Sequence, residues 1–304
     1  MNAPAQDWHD ARKRVIGGSE VVALLGSDEG FVTEWELYHS KRGTMPPREP
    51  TAAMKLGTAL ESGIIEATQT VLGWDSVAWA RLGCGDIELA GGVTAIQTER
   101  GPLLRHDSGL GGTPDGLVYV GTGTQIGAYL LEIKHASSWA LRDWPGDGEE
   151  LPTGYLCQVW TYLGLLGLDE ARVAVLCDGE VRTFTVEAQP RVFAMLCDET
   201  RRFWARVEAG DEPAPNPSRD AAAIVRRWRA TPKAGAVDWS GNPTLCAMVA
   251  EYSAARDSRL SAEKVEEARK AMLLHRMGSA ERVIAGPYSV STAGNVLRVK
   301  EHKL

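Results

Sequence analysis

The sequence predicts an α/β fold with an α-helical C-terminal extension. Two observations predict it. Up to about residue 210, short apolar segments typical of strands alternate with longer segments whose apolar residues recur at helical spacing. Beyond a proline-rich stretch, the chain changes to a long segment rich in Ala, Glu, Lys and Arg. We therefore expect a core of residues 1–210, a linker at 211–243 and an extension at 244–304.

The N-terminal part of the predicted core is mainly helical. A short helix is expected at 18–26, with a cap near Ser19, and a second at 31–42. A third helix follows the proline-rich loop at 46–50, because its apolar residues recur every three to four positions. This stripe consists of Leu56, Leu60, Ile64, Ala67 and Val71.

The remainder of the core is predicted to supply a sheet and two long helices. Asp178-Gly179 is typical of a tight turn and indicates a hairpin between the last two strands. The apolar residues of the first long helix share one face, which we expect to be buried. Strands are predicted at 85–97, 103–107, 116–120, 129–135, 171–177 and 181–186, and helices at 152–167 and 189–209.

Beyond the core, Asp211–Pro217 contains three prolines and is typical of a linker. Residues 244–277 are predicted to form one long helix or a helical hairpin, which Gly278 would end. A short β tail follows at 288–290 and 296–299. A role in packing or oligomerisation is favoured for this extension over a catalytic role.

Composition indicates an ordinary globular protein: 44% of the residues are hydrophobic and 24% are charged. No apolar run is long enough to span a bilayer, and the N-terminus lacks the apolar segment of a signal peptide. The five cysteines are scattered, odd in number and never spaced as Cys-x-x-Cys. This usage indicates a reducing cytoplasm and argues against a zinc site.

The most informative motif is a proline–aspartate pair followed by an apolar strand that carries Glu-x-Lys. Residues two apart on a strand point to the same face, so Glu132 and Lys134 should project together. Asp115 would arrive beside Glu132 from the neighbouring strand. Two carboxylates and an ammonium group then share a small volume, where oxygen ligands suit Mg²⁺, as in metal-dependent nucleases. An exposed hairpin with a surface ion pair accounts for this motif equally well when the motif is taken alone.

Three further segments surround this motif in order: Trp8–Glu20, Leu56–Glu61 and Gly154–Tyr162. Together with the Glu-x-Lys strand, they resemble the YqaJ-like viral recombinase, or lambda-exonuclease-like, family over roughly residues 8–210. The resemblance implies a restriction-endonuclease-like PD-(D/E)XK core, in which a central mixed sheet is flanked by helices. It also implies Mg²⁺-dependent cleavage of DNA, with Mn²⁺ able to substitute. Digestion of double-stranded DNA ends, commonly from 5′ to 3′, is the implied activity.

The resemblance assigns roles to the residues around Glu132. Asp115, Glu132 and the backbone carbonyl of Ile133 would ligate the metal, and Lys134 would orient the attacking water or stabilise the phosphate. Gln158 would line the site near that lysine. Glu61 would complete a second metal or water shell. The alternative for Glu61 is a solvated helix glutamate.

The resemblance also predicts a binding site for DNA ends. Arg12 and Ser19 align with a segment that grips a terminal 5′-phosphate, and a guanidinium suits phosphate because it can donate two parallel hydrogen bonds. Tyr162, four residues after Gln158 on one helix face, would contact the DNA backbone. A simple helix cap is the alternative for Ser19, and a core aromatic is the alternative for Tyr162.

We therefore expect a 5′-to-3′ exonuclease on duplex DNA in phage-type recombination, in the cytoplasm of a bacterial host. A single-strand annealing protein is the expected partner. The net charge of −7 is unusual for a DNA-binding protein, and a homotrimeric ring with cations around a central channel would reconcile the two. The alternatives are a structure- or sequence-specific endonuclease on the same core and a catalytically silent DNA-end-binding scaffold.

Overall fold

The computed structural model describes residues 8–71, 79–80, 89–98, 101–122, 125–293 and 296–302. The chain forms two compact units, Met1–Pro232 and Lys233–Leu304. Of the strand predicted at 85–97, residues 85–88 lie outside the described residues, residues 89–92 form a loop and a turn, and the strand spans Val93–Thr98.

The first unit contains seven α-helices, nine strands and two 3₁₀ helices among its described residues. The helices are α1 (Trp8–Arg12), α2 (Glu34–Lys41), α3 (Ala52–Val71), α4 (Ser138–Arg142), α5 (Thr153–Leu166), α6 (Pro190–Ala209) and α7 (Pro217–Ala230). The strands are β1 (Ile16–Gly17), β2 (Trp79–Ala80), β3 (Val93–Thr98), β4 (Gly101–His106), β5 (Leu110–Gly112), β6 (Gly116–Thr122), β7 (Gln125–His135), β8 (Glu170–Cys177) and β9 (Glu180–Glu187). The 3₁₀ helices span Val21–Leu25 and Pro145–Gly148.

A five-stranded mixed sheet forms the centre of this unit, in the order β2-β6-β7-β8-β9. Strands β7 and β8 are parallel, and α5 lies in the connection between them, as parallel neighbours require a crossover. The other pairs are antiparallel. In the β6–β7 ladder Gly116 pairs with Leu131, so Asp115 is placed next to Glu132. The predicted α/β fold with a central mixed sheet and flanking helices is confirmed.

A second sheet of four strands brings the segment that follows α1 to the same region. Its order is β1-β5-β4-β3, and β1 runs parallel to β5, with Ile16 opposite Leu110 and Gly17 opposite Gly111. Because β5 ends at Gly112, only three residues before Asp115, this pairing holds the segment after α1 close to the β6–β7 hairpin.

Helix α3 covers the opposite side of β7 from the carboxylate pair. Its Ile64 and Ile65 form a buried cluster with Leu131 and Ile133 of β7. The predicted stripe is correct in its middle and wrong at its ends, since the side chains of Leu56 and Val71 are 47% and 60% exposed. The reason is length: a helix of 20 residues spans about 30 Å and overhangs the sheet that it covers.

The predicted short helix at 18–26 differs from the structure. Only Val21–Leu25 are helical, in the 3₁₀ form, and the cap position is Glu20 rather than Ser19. The carboxylate of Glu20 accepts a hydrogen bond from the backbone N–H of Gly17 at 2.7 Å and makes no capping bond to the helix. The expected helix N-terminus at Ser19 is therefore absent from this described segment.

The segment predicted as a linker, 211–243, contains a helix that belongs to the first unit. Helix α7 begins after Asn216, whose side chain accepts hydrogen bonds from the N–H groups of Ser218 and Arg219. Asp220 is fully buried and accepts a hydrogen bond from the Thr33 hydroxyl. These polar contacts fix α7 in place, so the division between the two units falls after Pro232 instead of at residue 210.

The second unit consists of one helix and a small antiparallel sheet. Helix α8 (Pro243–Met277) is continuous over 35 residues, which excludes the predicted alternative of a helical hairpin. The strands are β10 (Arg282–Ala285), β11 (Tyr288–Ala293) and β12 (Val296–Glu301), in the order β10-β11-β12. The predicted tail is thus found with one additional strand. Among the described residues, no helix combines the length and the apolar character needed to cross a membrane.

Candidate active site

Asp115 is held at the start of β6 by the neighbouring strand. Its Oδ2 accepts a hydrogen bond from the backbone N–H of Ile133 at 2.8 Å. This bond holds the Asp115 carboxylate beside Glu132, because strand β7 is hydrogen-bonded to β6 on one side and to β8 on the other. A substitution at Asp115 therefore changes a group with a defined position, not a mobile surface side chain.

Glu132, Lys134 and Gln158 form one connected hydrogen-bond group. Glu132 is only 1% exposed, and its Oε1 accepts from Lys134 Nζ at 2.5 Å and from Gln158 Nε2 at 2.6 Å. Lys134 Nζ also donates to Gln158 Oε1 at 3.1 Å. Alternation along β7 produces this arrangement, since Leu131 and Ile133 are buried on the other face. The alternative of a solvated surface ion pair is thereby excluded.

Helix α5 adds an aromatic residue that the sequence analysis missed. Lys134 Nζ lies 5.2 Å from the centroid of the Tyr155 ring, within the range of a cation–π interaction. Tyr155 precedes Gln158 by three residues, so the two share a helix face. That spacing is the only signal in the sequence that would have indicated a role for Tyr155.

Burial dominates the electrostatics of the two carboxyl groups. Burial, followed by the charge of Asp115, raises the pKa of Glu132 to about 8, although Lys134 opposes this. Burial also raises the pKa of Asp115 against the opposing effect of Lys134. For Lys134, burial alone would lower the pKa, but Glu132 and Asp115 outweigh it and the pKa is raised. Lys134 is thus a persistent cation and not a proton acceptor in this arrangement.

The donor set fits a hard divalent cation. Glu132 Oε2 is buried and receives no hydrogen bond from an N–H or hydroxyl group, although a buried carboxylate oxygen ordinarily does. Its neighbour is the carboxyl group of Asp115, which is hydrogen-bonded to Glu132. Burial raises the pKa of both groups, and the charge of Asp115 raises that of Glu132 further. In the described part of the chain, no three His, Cys, Asp or Glu side chains lie close enough to hold a metal together. Backbone oxygen and water would therefore complete the ligand shell.

Glu61 is half-exposed on α3, and its charge makes a small contribution to the raised pKa of Glu132. Its role in a second shell, and that of the Ile133 carbonyl as a ligand, remain predictions.

Tyr162 is packed between two glycines and next to Gln158. Its hydroxyl lies 3.4 Å from Gln158 Nε2, and its side chain is buried. A Cβ atom at Gly112 would lie 2.5 Å from Tyr162 Cε1, and one at Gly18 would lie 3.1 Å from the same atom. Burial raises the pKa of the Tyr162 hydroxyl, which is therefore neutral. The core-aromatic alternative thus describes the packing of Tyr162, while its hydroxyl borders the predicted site.

Arg12 and Ser19 border the same cavity as Gln158 and Tyr162. The cavity has a volume of about 180 Å³, and Thr113 and Gly112 line its opposite wall. The pairing of β1 with β5 brings these segments together although they are about a hundred residues apart in the chain. The residues predicted to bind a 5′-phosphate therefore share one cavity with Gln158, one of the four residues predicted for the chemistry.

The orientation of Arg12 depends on two residues that the sequence analysis missed, Glu20 and Lys41. The guanidinium group lies 4.9 Å from the Trp8 ring centroid, and its Nη2 is 3.9 Å from Glu20 Oε1. Lys41 is nearly buried and donates to Glu20 Oε2 at 2.8 Å and to the carbonyl of Arg12 at 3.3 Å. Glu20 and Lys41 lie 21 positions apart on different elements, so no periodic pattern connects them.

The protein has a restriction-endonuclease-like core. Its mixed sheet contains a hairpin that carries a pair of carboxylates and a lysine, and a glutamine of the following helix is bonded to the lysine and to one of the carboxylates. The model of the YqaJ-like viral recombinase domain matches residues 7–169, more than half of the chain. The chain belongs to this family.

Several individual proteins are similar to this chain. The chain is 25% identical over 228 residues to the uncharacterized protein YqaJ of Bacillus subtilis (strain 168), a match that covers 73% of this chain and 62% of that protein. The chain thus spans less than two thirds of this curated relative. The alkaline exonuclease LHK-Exo from Laribacter hongkongensis is similar at 22% identity and a TM-score of 0.47, covering 71% of this chain and 98% of LHK-Exo. A phage-related exonuclease from Haemophilus somnus 129PT is similar at 12% identity and a TM-score of 0.42, covering 66% and 98% of the two chains.

Proposed function

We propose that this protein is a divalent-metal-dependent deoxyribonuclease that degrades duplex DNA from its ends, from 5′ to 3′. The observation that carries the proposal is the buried Glu132, whose Oε1 is shared by Lys134 and Gln158 while its Oε2 receives no N–H donor and adjoins the carboxyl group of Asp115. A purely structural ion pair would not place two acidic groups together in a buried site. Membership of the YqaJ-like family supports the same assignment.

The chemistry proposed is hydrolysis of a phosphodiester bond. Mg²⁺, or Mn²⁺ in its place, would be held by Asp115, Glu132 and the carbonyl of Ile133, and when bound it lowers the pKa of a water molecule and stabilises charge on the phosphate. Lys134 keeps its positive charge and would hold the attacking water and the phosphate in line. Gln158 fixes both Lys134 and Glu132, so that neither side chain must reorganise during the reaction.

Recognition of the DNA end is assigned to the adjoining cavity. Arg12 would bind a terminal 5′-phosphate, since its guanidinium is oriented by Trp8 and Glu20 and faces the cavity shared with Ser19 and Tyr162. An isolated phosphate occupies a volume smaller than the 180 Å³ of this cavity, so one terminal group fits it. A phosphate bound there would keep the end next to Glu132 and Lys134, which favours cleavage at ends over cleavage within a duplex.

The biological role that we propose is the preparation of DNA ends for phage-type recombination in a bacterial cytoplasm. A single-strand annealing protein would receive the exposed strand, and a homotrimeric ring would let an acidic chain retain its substrate. The family's description as a viral recombinase and the four described cysteines, all of them free, support this setting.

The decisive test compares three substrates under identical conditions: a linear duplex with 5′-phosphates, the same duplex with 5′-hydroxyls, and a covalently closed circular duplex. We expect Mg²⁺ to support release of nucleotides from the linear duplexes, with the phosphorylated ends preferred, and no cleavage of the circle. Rapid nicking of the circle would identify an endonuclease instead. DNA-end binding without cleavage in Mg²⁺ or Mn²⁺ would identify a catalytically silent scaffold.

A further inference from the structure

The charges of this protein are unevenly divided between its two units. Lys233–Leu304 contain eleven lysines and arginines and eight aspartates and glutamates, a net charge of +3. Because the whole chain has a net charge of −7, residues 1–232 have a net charge of −10. The smaller unit is therefore the part of the chain with the sign of charge that attracts a polyanion.

The cations of the small sheet lie on one face of it. Arg282 and Arg298 both pair with Ser291, on either side of β11, so the three side chains share a face. Lys300 follows Arg298 by two positions and points the same way. The arginines are separated by two strand spacings, roughly 10 Å, and Arg298 and Lys300 by roughly 7 Å along the strand. The strand residues on this face, which we call the basic face, are Arg282, Ile284, Ser289, Ser291, Ala293, Val296, Arg298 and Lys300.

The basic face is largely exposed and has no acidic strand residue. Ile284 is 76% exposed and Val296 is 55% exposed, whereas Ser289 is buried and its hydroxyl lies 2.8 Å from His302 Nε2. The acidic strand residue of the sheet, Glu301, lies on the opposite face, where the Tyr288 hydroxyl donates to it. Within the described part of the chain, none of the three cations forms an ion pair with a carboxylate.

The composition of the basic face distinguishes between forms of nucleic acid. Single strands are held largely by stacking of bases on aromatic side chains. The strand residues of the basic face include no aromatic residue, because Tyr288 is on the other side. Long cationic side chains at separations of roughly 7–10 Å can each contact a different phosphate of one duplex, whose charges are closer together than that along the helix axis. The chemistry therefore fits the phosphate backbone of duplex DNA without selection for sequence.

We infer that the basic face of the β10–β12 sheet is a second DNA-binding site, which holds the backbone of duplex DNA. The inference rests on the proposed function in so far as DNA is the substrate. In this arrangement the C-terminal unit supplies affinity for the body of the duplex, while the cavity at Arg12 selects its end.

The test measures binding and is independent of cleavage. Full-length protein that carries Glu132→Gln is titrated against a closed circular duplex, which has no ends, and separately against circular single-stranded DNA, at several salt concentrations without divalent metal. One variant adds Arg282→Gln, Arg298→Gln and Lys300→Gln. A matched control adds Arg256→Gln, Lys264→Gln and Lys270→Gln on α8, which removes the same charge from the same unit. Thermal unfolding checks that both variants are folded.

We expect the slope of log affinity against log salt to decrease in magnitude by about 2–3 for the variant of the basic face and by less than about 1 for the control, since each phosphate contact contributes about 0.9 to the slope. Equal changes in both variants would overturn the inference, because they would reflect net charge alone. A loss confined to circular single-stranded DNA would also overturn it. Failure of the proposed function would be seen separately, as absence of cleavage of linear duplexes by the unmodified protein.

Discussion

Gln158 and Glu132 are joined by a hydrogen bond of 2.6 Å from Gln158 Nε2 to Glu132 Oε1. Glu132 is on strand β7 and Gln158 on helix α5, so this bond connects the sheet to the helix that follows it. The other end of the same amide accepts from Lys134 at 3.1 Å. A single neutral side chain thus sets the positions of an acidic and a basic group at once.

We expect Gln158→Ala to reduce kcat by about 10- to 100-fold, the range typical of residues that orient the ligands of a metal. Tyr162→Phe removes only the more distant hydroxyl contact of 3.4 Å and should cost less than Gln158→Ala. The loss of activity in each variant is measured as the single-turnover rate on a 5′-phosphorylated duplex. If the two variants lost equal activity, Gln158 would not have a particular positioning role.

Replacing either carboxylate should abolish cleavage without unfolding the protein. Glu132→Gln and Asp115→Asn each remove a metal ligand and should lower kcat by more than about 100-fold, beyond the effect of an orienting residue. Lys134→Ala should cause a comparable loss. Mg²⁺ and Mn²⁺ should support activity in the wild type, whereas Ca²⁺ should not, because its larger and looser shell misplaces the reacting oxygens.

The control is Glu180→Gln, which makes the same chemical change at an exposed position of β9 in the same sheet. Its nuclease activity should equal that of the wild type. Circular dichroism melting curves should show that the Glu132 variant is still folded, because the Asp115 carboxyl group remains beside Lys134. Full activity of the Glu132→Gln variant would refute the assignment of the active site.

Arg12→Ala should discriminate between DNA ends. Loss of the phosphate contact should reduce kcat/KM on 5′-phosphorylated duplexes by about 1.5–3 kcal/mol, or roughly 10- to 150-fold, and leave 5′-hydroxyl duplexes almost unchanged. The matched control is Arg14→Ala, because Arg14 is exposed, lies two residues away and carries the same charge. An equal loss on both kinds of end would mean that Arg12 contacts the DNA backbone generally.

Glu20 should make the stability of the protein depend on pH on the acid side. Burial raises the pKa of Glu20, but the charges of Lys41 and Arg12 outweigh it and lower the pKa below its ordinary value. A carboxyl group with a lowered folded-state pKa stabilises the fold above its unfolded pKa of about 4.5, and this contribution is lost as the pH falls further. The free energy of unfolding of the wild type should therefore decrease below about pH 5.

The variant Glu20→Gln should lose about 3 kcal/mol at pH 7, because it leaves the nearly buried Lys41 without its carboxylate. Its unfolding free energy should depend less on pH between 3 and 5 than that of the wild type. Asp198→Asn breaks an exposed ion pair with Arg201 and should change stability by less than about 1 kcal/mol. Urea titrations at several pH values measure the free energy of unfolding of the wild type and of both variants. Parallel pH profiles for wild type and Glu20→Gln would show that Glu20 is not the titrating group.

The predicted ring can be tested by the mass of the particle. The chain has a mass of 32.9 kDa, so a homotrimer would have a mass of roughly 99 kDa. Light scattering coupled to size-exclusion chromatography distinguishes the monomer from the homotrimer by mass. A monomer that degrades long duplexes without releasing them would contradict the ring and would leave retention of DNA to other surfaces of the chain.

The sheet and the site were predictable where the pattern is local. Helix α5 was predicted at 152–167 and spans Thr153–Leu166, because its apolar residues repeat at helical spacing. Alternation along β7 was enough to place Glu132 and Lys134 on one face. The pair of Glu20 and Lys41 was not predictable, since it depends on how the short elements near the N-terminus pack. Helix α7 was missed although Asn216 and Pro217 are ordinary signals for a helix start, because the prolines before them indicated a linker.

The order of these parts along the chain has an evolutionary consequence. Glu132, Lys134 and Gln158 lie within the contiguous stretch from β6 to α5, and Asp115 immediately precedes it, whereas Arg12, Ser19, Glu20 and Lys41 lie in the first 41 residues. The two stretches meet in the packing of Gly18 against Gln158 and Tyr162 and in the hydrogen bonds from Thr153 and Gly154 to Glu29. Under the proposed function, the first 41 residues form an N-terminal module that contributes to end selection, and the later stretch carries the residues for bond-breaking. An exchange of the N-terminal module between relatives should alter which ends are accepted and leave the hydrolytic chemistry intact.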